Sequence, residues 1–137
     1  MVHSRVYLDT NVLIYLIEGH AEFLPRVAEM MLGTKKSGGT LILSELCKCE
    51  CLIGPMKNGR DDLVEKYEAA FEELTDVEYM GFDSSALEQV PEIAALCGLK
   101  LVDAMHLSLA LQAGCDGFVT NDRGFDRADD LIDLIRL

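Results

Sequence analysis

The stretch RVYLDTNVLIYLIEG, residues 5–19, decides how the chain is read. Its first part, RVYLD (5–9), is short, apolar and rich in residues that suit a buried strand. Its second part, NVLIYLIE, has the length and composition of a helix, with Thr10 or Asn11 as the expected cap and Gly19 as the stop. A strand that runs straight into a helix is the opening of an α/β unit. Asp9-Thr10-Asn11 interrupts a run that is otherwise core-like, so the polar triplet needs a reason to be there.

The same alternation continues along the chain. Phe23 to about Ser37 reads as a helix with Lys35 and Lys36 in its last turn and Gly38-Gly39 after it. TLIL (40–43) reads as a strand, and Ser44 caps a helix expected to run to Ile53 before a loop, GPMKNG (54–59). Asp61 to Leu74 is amphipathic, with Leu63, Tyr67, Ala70, Phe71 and Leu74 at helical spacing. VEYMGF (77–82) is a third strand. Ser84 or Ser85 opens a helix that contains Pro91 and ends at Gly98, and Leu101 to Ala113 is a further helix stopped by Gly114. GFVT (117–120) and LIDLI (131–135) complete the strands. Strands alternating with helices predict a three-layer α/β/α sandwich around a mostly parallel sheet of four to five strands. The pattern shows no repeat or long linker, and residues 1–137 read as a single domain.

Composition narrows the function classes. Half of the residues are hydrophobic, enough for a sizeable core at this length. The 24 acidic residues against 12 basic give a net charge of −12. That argues against a general electrostatic grip on nucleic acid and is compatible with cation binding or a basic partner. Five cysteines, an odd count without a leading signal-like segment, point to free thiols in a reducing cytosol. Cys47, Cys49 and Cys51 alternate within an expected helix, where they point to different faces, so a zinc cluster is not expected. No apolar run reaches the ~18 residues of a membrane span.

In a parallel sheet the strand C-termini and the following helix N-termini share one edge, where ligands bind. Asp9 ends the first strand and Asp122 follows the fourth, so both belong on that edge. Asp103 lies early in its helix, 19 positions before Asp122. About 11 residues of helix cover ~17 Å away from the edge, and the strand covers a similar distance back. Glu45 and Glu50 both follow the second strand. Five positions apart, they are roughly 140° apart around a helix and cannot both face one point. Geometry alone leaves open which of them does. Three or four carboxylates at one edge resist joint ionisation, which predicts raised pKa values. A hard divalent cation resolves the repulsion, and such an ion can activate water and stabilise the leaving oxygen of a phosphodiester.

These residues carry a resemblance. YLDTNVLIYLIE is similar to the opening motif of the PIN-domain ribonucleases, and within them of the VapC-type toxins of toxin–antitoxin pairs. LSELCKCECLIGP resembles their second motif, whose acidic residue lies six positions after the serine, which selects Glu50 over Glu45. LVDAMHLSLAL resembles the third and gives Asp103, and FVTNDRGF resembles the fourth and gives Asp122. Val102 and Ser108 stand where many members have proline and alanine.

The resemblance implies Mg²⁺- or Mn²⁺-dependent cleavage of single-stranded RNA, a frequent homodimer and inhibition by a cognate antitoxin. Asp9, Glu50, Asp103 and Asp122 would hold the metal, and Thr10, Asn11, Thr120 and Asn121 would support them. The acidic balance sits awkwardly with an RNA substrate, and Lys48, Lys57, Arg60, Arg123 and Arg127 are the candidates for a local basic rim. His106, three residues after Asp103, reads either as a base or phosphate ligand or as a packed residue supporting the site. Rival readings are a housekeeping PIN nuclease, a haloacid-dehalogenase-type phosphatase and a non-catalytic protein-binding domain. The phosphatase wants a second aspartate where Asn11 stands, and a receiver-type module wants a lysine that FVTND lacks.

Overall fold

The computed structural model describes residues 2–137. Five strands, β1 (Arg5–Leu8), β2 (Thr40–Ser44), β3 (Glu78–Met80), β4 (Gly117–Val119) and β5 (Asp133–Ile135), form one sheet in the order β3-β2-β1-β4-β5. Every pairing is parallel. The helices are α1 (Thr10–Glu18), α2 (Phe23–Lys36), α3 (Glu45–Lys57), α4 (Asp61–Glu73), α5 (Ser84–Glu88), α6 (Val90–Cys97) and α7 (Leu101–Gln112), with a 3₁₀ helix at Arg123–Ala128.

The strand order follows from the connections. From β1 the chain steps outward to β2 and then β3, carrying α1 to α4, which pack on one another. It then returns through the mutually packed α5, α6 and α7 to β4, on the other side of β1. Right-handed crossovers in opposite directions put the two helix groups on opposite faces. Such a sheet is covered on both sides, which is why its central strands read as continuous apolar runs. Val6, Tyr7 and Leu8 of β1 and Leu41, Ile42 and Leu43 of β2 are buried, and the Tyr7 ring stacks on Phe118 of β4. Truncating one of these aliphatic chains to alanine typically costs ~2–5 kcal/mol.

Several local expectations are corrected. The cap of α1 is Asp9, whose Oδ1 accepts a hydrogen bond from the Thr10 N–H at 2.8 Å; Thr10 and Asn11 lie inside the helix. Asp83, rather than Ser84 or Ser85, caps α5. The helix after β2 does not stop at Ile53 but continues through Gly54 and Pro55 to Lys57. Pro55 is buried, and burial outweighs the single hydrogen bond that a proline removes so near a helix end. The true stop is Asn58-Gly59, where Gly59 takes φ +66° and the Arg60 N–H bonds back to the Pro55 carbonyl. Pro91 does not sit within one helix: the chain breaks at Gln89, and Pro91 occupies the first turn of α6, where its missing N–H costs nothing. Of the cysteines on α3, Cys47 and Cys51 are buried and Cys49 is exposed. Among the described residues no single helix is long and apolar enough to cross a membrane.

One tether was not anticipated. The carboxylate of Asp116, just before β4, accepts from the Ser4 and Arg5 N–H groups, both at 2.9 Å, and from the Ser4 hydroxyl at 3.0 Å. The shallow burial of this group works upward on its pKa, but these donors hold it below the ordinary carboxylate value. A carboxyl depressed in the folded state stabilises above its unfolded pKa, and the benefit fades as pH falls through the folded value. Asp116→Asn should therefore lower the melting temperature at pH 7 by roughly 2 °C. The deficit should close below about pH 4 in paired thermal melts.

Candidate active site

The strand order reverses between β1 and β4, and the crevice outside their C-terminal ends is where an open α/β sheet binds ligands. Leu8 pairs with Val119, so the next residues, Asp9 and Thr120, stand side by side across that crevice. The Thr120 hydroxyl donates to Asp9 Oδ2 at 2.7 Å, and the Asp9 N–H donates to the Val119 carbonyl at 3.0 Å.

A cavity of about 570 Å³ opens at this point, lined by Asp9, Glu50, Asp103 and Asp122, with Thr10, Asn11, Lys100 and three apolar residues, Ile14, Leu101 and Val102. All four carboxylates expected at the sheet edge thus meet in one concavity. Glu45 is absent from it and instead lies near Lys48 in the first turn of α3. The helix geometry left the choice between Glu45 and Glu50 open; the fold brings Glu50 to the cavity.

The four carboxylates differ in environment. Asp9 is 5% exposed, and burial raises its pKa against the hydrogen bond from Thr120, the His106 charge and the Thr10 N–H, with Glu50 adding to the rise. Asp103 is partly buried; burial raises it first, then the charges of Asp122 and Asp9, with His106 opposing and Glu50 adding a further push. Glu50 runs against the expectation that crowding raises every member. Its hydrogen bond from His106 lowers its pKa, outweighing burial, and the Thr10 hydroxyl, which donates at 2.6 Å, lowers it further. Asp122 caps the 3₁₀ helix, its Oδ1 accepting from the Gly124 N–H at 2.8 Å.

His106 explains how Glu50 is held. Its side chain is buried on α7, with Nε2 hydrogen-bonded to Glu50 and Nδ1 2.7 Å from the Tyr7 hydroxyl. Tyr7 continues to Ser44 at 2.7 Å, and Cys47 Sγ reaches the Leu8 carbonyl at 3.4 Å. Burial works downward on His106, yet its contacts with Cys47 and Glu50 push its pKa up to about 10. The sulfur contact is long at 3.9 Å, so the carboxylate is the partner that keeps the proton. Both ring nitrogens are occupied and the side chain does not line the cavity. It is a packed residue supporting Glu50, not one exposed to a ligand.

Asn11 lines the cavity, whereas the Asn121 side chain accepts from the Leu137 N–H at 2.9 Å and lies outside the lining. None of the five cations expected as a basic rim lines it either. The Lys48 ammonium sits 4.1 Å from the Tyr79 ring centre and beside Glu45. Arg60 pairs with Asp62, Lys57 closes α3, and Arg123 and Arg127 lie exposed on the 3₁₀ helix. The cation that does line the cavity is Lys100, immediately before α7. Its only sequence signal is its place three residues ahead of Asp103.

No three His, Cys, Asp or Glu side chains among the described residues converge tightly enough to ligate one ion by themselves. The donor set is still that of a hard cation which keeps much of its water: four carboxylates around an open concavity, two of them raised by burial and mutual charge.

Residues 6–131 match the family model of the PIN domain. The fold is similar to that of VapBC2 from Rickettsia felis, solved bound to a promoter DNA fragment (TM-score 0.74, 17% identity, 97% of this chain and 98% of that one). It is also similar to DNA-bound VapBC from Salmonella typhimurium (0.71, 22% identity, 97% and 98%). A third is VapC20 of Mycobacterium tuberculosis, a toxin that cleaves the sarcin-ricin loop (0.71, 15% identity, 90% and 94%). No curated protein matches the sequence.

Repulsion in the cavity has a measurable consequence. A carboxyl whose folded pKa is raised binds protons more tightly folded than unfolded, so its site loses stability as pH rises through the unfolded and then the folded value. Asp103→Asn should melt higher than wild type in EDTA at pH 7, by roughly 1–3 °C because solvent screens a half-buried group. The gain should vanish below about pH 4, and added Mn²⁺ should raise the melting temperature of wild type more than that of the variant.

Proposed function

The chain belongs to the PIN-domain family, and from that premise we propose that it is a Mg²⁺- or Mn²⁺-dependent endoribonuclease of single-stranded RNA and the toxin of a toxin–antitoxin pair. The observation that carries the reading is the meeting of Asp9, Glu50, Asp103 and Asp122 in one cavity at the switch point. Neighbouring folds solved as toxin–antitoxin assemblies support a cognate antitoxin as partner. The working form is a cytoplasmic homodimer of single-domain chains.

When bound, a divalent cation supplies an acidified water and offsets charge on the phosphate. The chain's own groups do the rest. The four carboxylates hold the ion, directly or through water. Thr120 and the Thr10 N–H fix Asp9, while His106 and the Thr10 hydroxyl fix Glu50 in its ionised form. Lys100 faces the cavity as the cation available to a substrate phosphate, in a molecule whose net charge otherwise repels RNA.

Purified protein incubated with total cellular RNA, with and without EDTA, should produce new ends only where free metal is present. Asp9→Asn, Asp103→Asn and Asp122→Asn should each cut the rate by ~10²-fold or more, the scale of several kcal/mol of charge stabilisation. Glu50→Gln should be far more damaging than Glu45→Gln. Near-normal cleavage by any two of the aspartate variants would remove the carboxylate site from the account.

Expression of the chain alone should arrest cell growth, and the Asp9→Asn form should not. Undisturbed growth with soluble wild-type protein would identify a housekeeping nuclease instead.

A further inference from the structure

Of the four carboxylates, Asp122 is the one placed by irregular backbone. Asp9 directly follows a central strand, and Glu50 and Asp103 stand on helices. Asp122 lies three residues past the end of β4, in the link to the 3₁₀ helix. That link is held from the segment that follows β5. The Arg136 Nη1 donates to the carbonyls of both Thr120 and Asp122, each at 2.9 Å. Its Nη2 pairs with Asp126. The Thr120 N–H donates to the Ile135 carbonyl at 3.1 Å, and the Leu137 N–H to Asn121 Oδ1 at 2.9 Å.

We propose that Arg136 is a positioning residue for the carboxylate site: its guanidinium, bridging the carbonyls on either side of Asn121, fixes where Asp122 presents its side chain. The assignment rests on the metal-site reading above. A guanidinium suits the task because one planar group with several N–H donors can serve two carbonyls and a carboxylate together. Asp122 is then fixed at both ends. Arg136 holds its carbonyl, and Gly124 and Thr120 bond its Oδ1 and its N–H. Loss of Arg136 leaves two carbonyls without this donor and frees the link to move.

The test is Mn²⁺ binding by calorimetry, which needs no substrate, on wild type, Arg136→Ala, Arg136→Lys, Asp126→Asn, Asp122→Asn and the Arg136→Ala/Asp122→Asn double variant. Arg136→Ala should bind Mn²⁺ ~10–100-fold more weakly, the usual penalty for losing a group that orients a ligand. The double variant should bind no more weakly than Asp122→Asn, because the arginine acts through that residue. Arg136→Lys should fall between wild type and Arg136→Ala, and Asp126→Asn should stay within about twofold of wild type, since the carbonyl bridge survives. If Arg136→Ala does not fold, a folded Arg136→Lys variant decides the question, and wild-type affinity in it overturns the proposal. Wild-type affinity in a folded Arg136→Ala, or losses that add in the double variant, overturn it as well. Failure of wild type itself to bind Mn²⁺ would overturn the metal reading and this inference with it, a result distinct from any difference among the variants.

Discussion

The hydrogen bond from Thr120 to Asp9 joins the two strands between which the sheet reverses its order. Parallel pairing of Leu8 with Val119 fixes it: once that register is set, a residue one step beyond each strand must stand beside the other. A register slip of one residue would turn Asp9 and Thr120 to opposite sides of the sheet. The polar triplet that breaks the first apolar run therefore sits where two constraints coincide, the helix cap and the open crevice. Asp9 caps α1 with one oxygen and meets Thr120 with the other. Its burial is tolerated because those bonds compensate for lost water.

Glu50 has a different solution. Its charge is secured from behind by a buried imidazole that is itself anchored through Tyr7 to Ser44. Replacing His106 would leave Glu50 with only the Thr10 hydroxyl, and would leave Tyr7 facing a gap in the core. A supporting network of this kind is worth more than its separate bonds, because each member restricts the orientation of the next. The site thus combines one stiff pair, Asp9 and Glu50, with Asp103, whose charge meets repulsion from its neighbours.

What was legible in the sequence follows from what strand ends do. A carboxylate just past an apolar strand, one residue beyond β1 for Asp9 and three beyond β4 for Asp122, has its location set by topology, so both are readable, and helix spacing brings Asp103 with them. The sequence left Glu50 and Glu45 unresolved by geometry, and only the likeness to a known motif chose between them. Other features leave no local trace. His106 and Glu50 lie 56 positions apart, and nothing in either segment announces the contact. Arg136 acts on backbone carbonyls, which every residue has, so its targets carry no side-chain signature. Lys48 reads as available for a phosphate, but the Tyr79 ring lies beneath it, a contact that local sequence does not carry. Gly54-Pro55 looked like a loop because local propensity ignores the core that buries Pro55.

The sheet order also sets a schedule. β1 is complete by residue 8, but one of its two neighbours is β4, beginning at residue 117, and the Arg136 bridge comes later still. Contacts so distant along the chain form slowly, because the loop between them must close first. On a ribosome, where the chain emerges from its N-terminus, the first strand waits with one edge unpaired until the chain has been made past residue 119. Asp9 has no Thr120 to meet and Asp122 has not arrived. The four-carboxylate cavity is thus completed only after β4 and the link behind it have been made, and a nascent fragment holding Asp9, Glu50 and Asp103 lacks the fourth carboxylate however well its helices have formed.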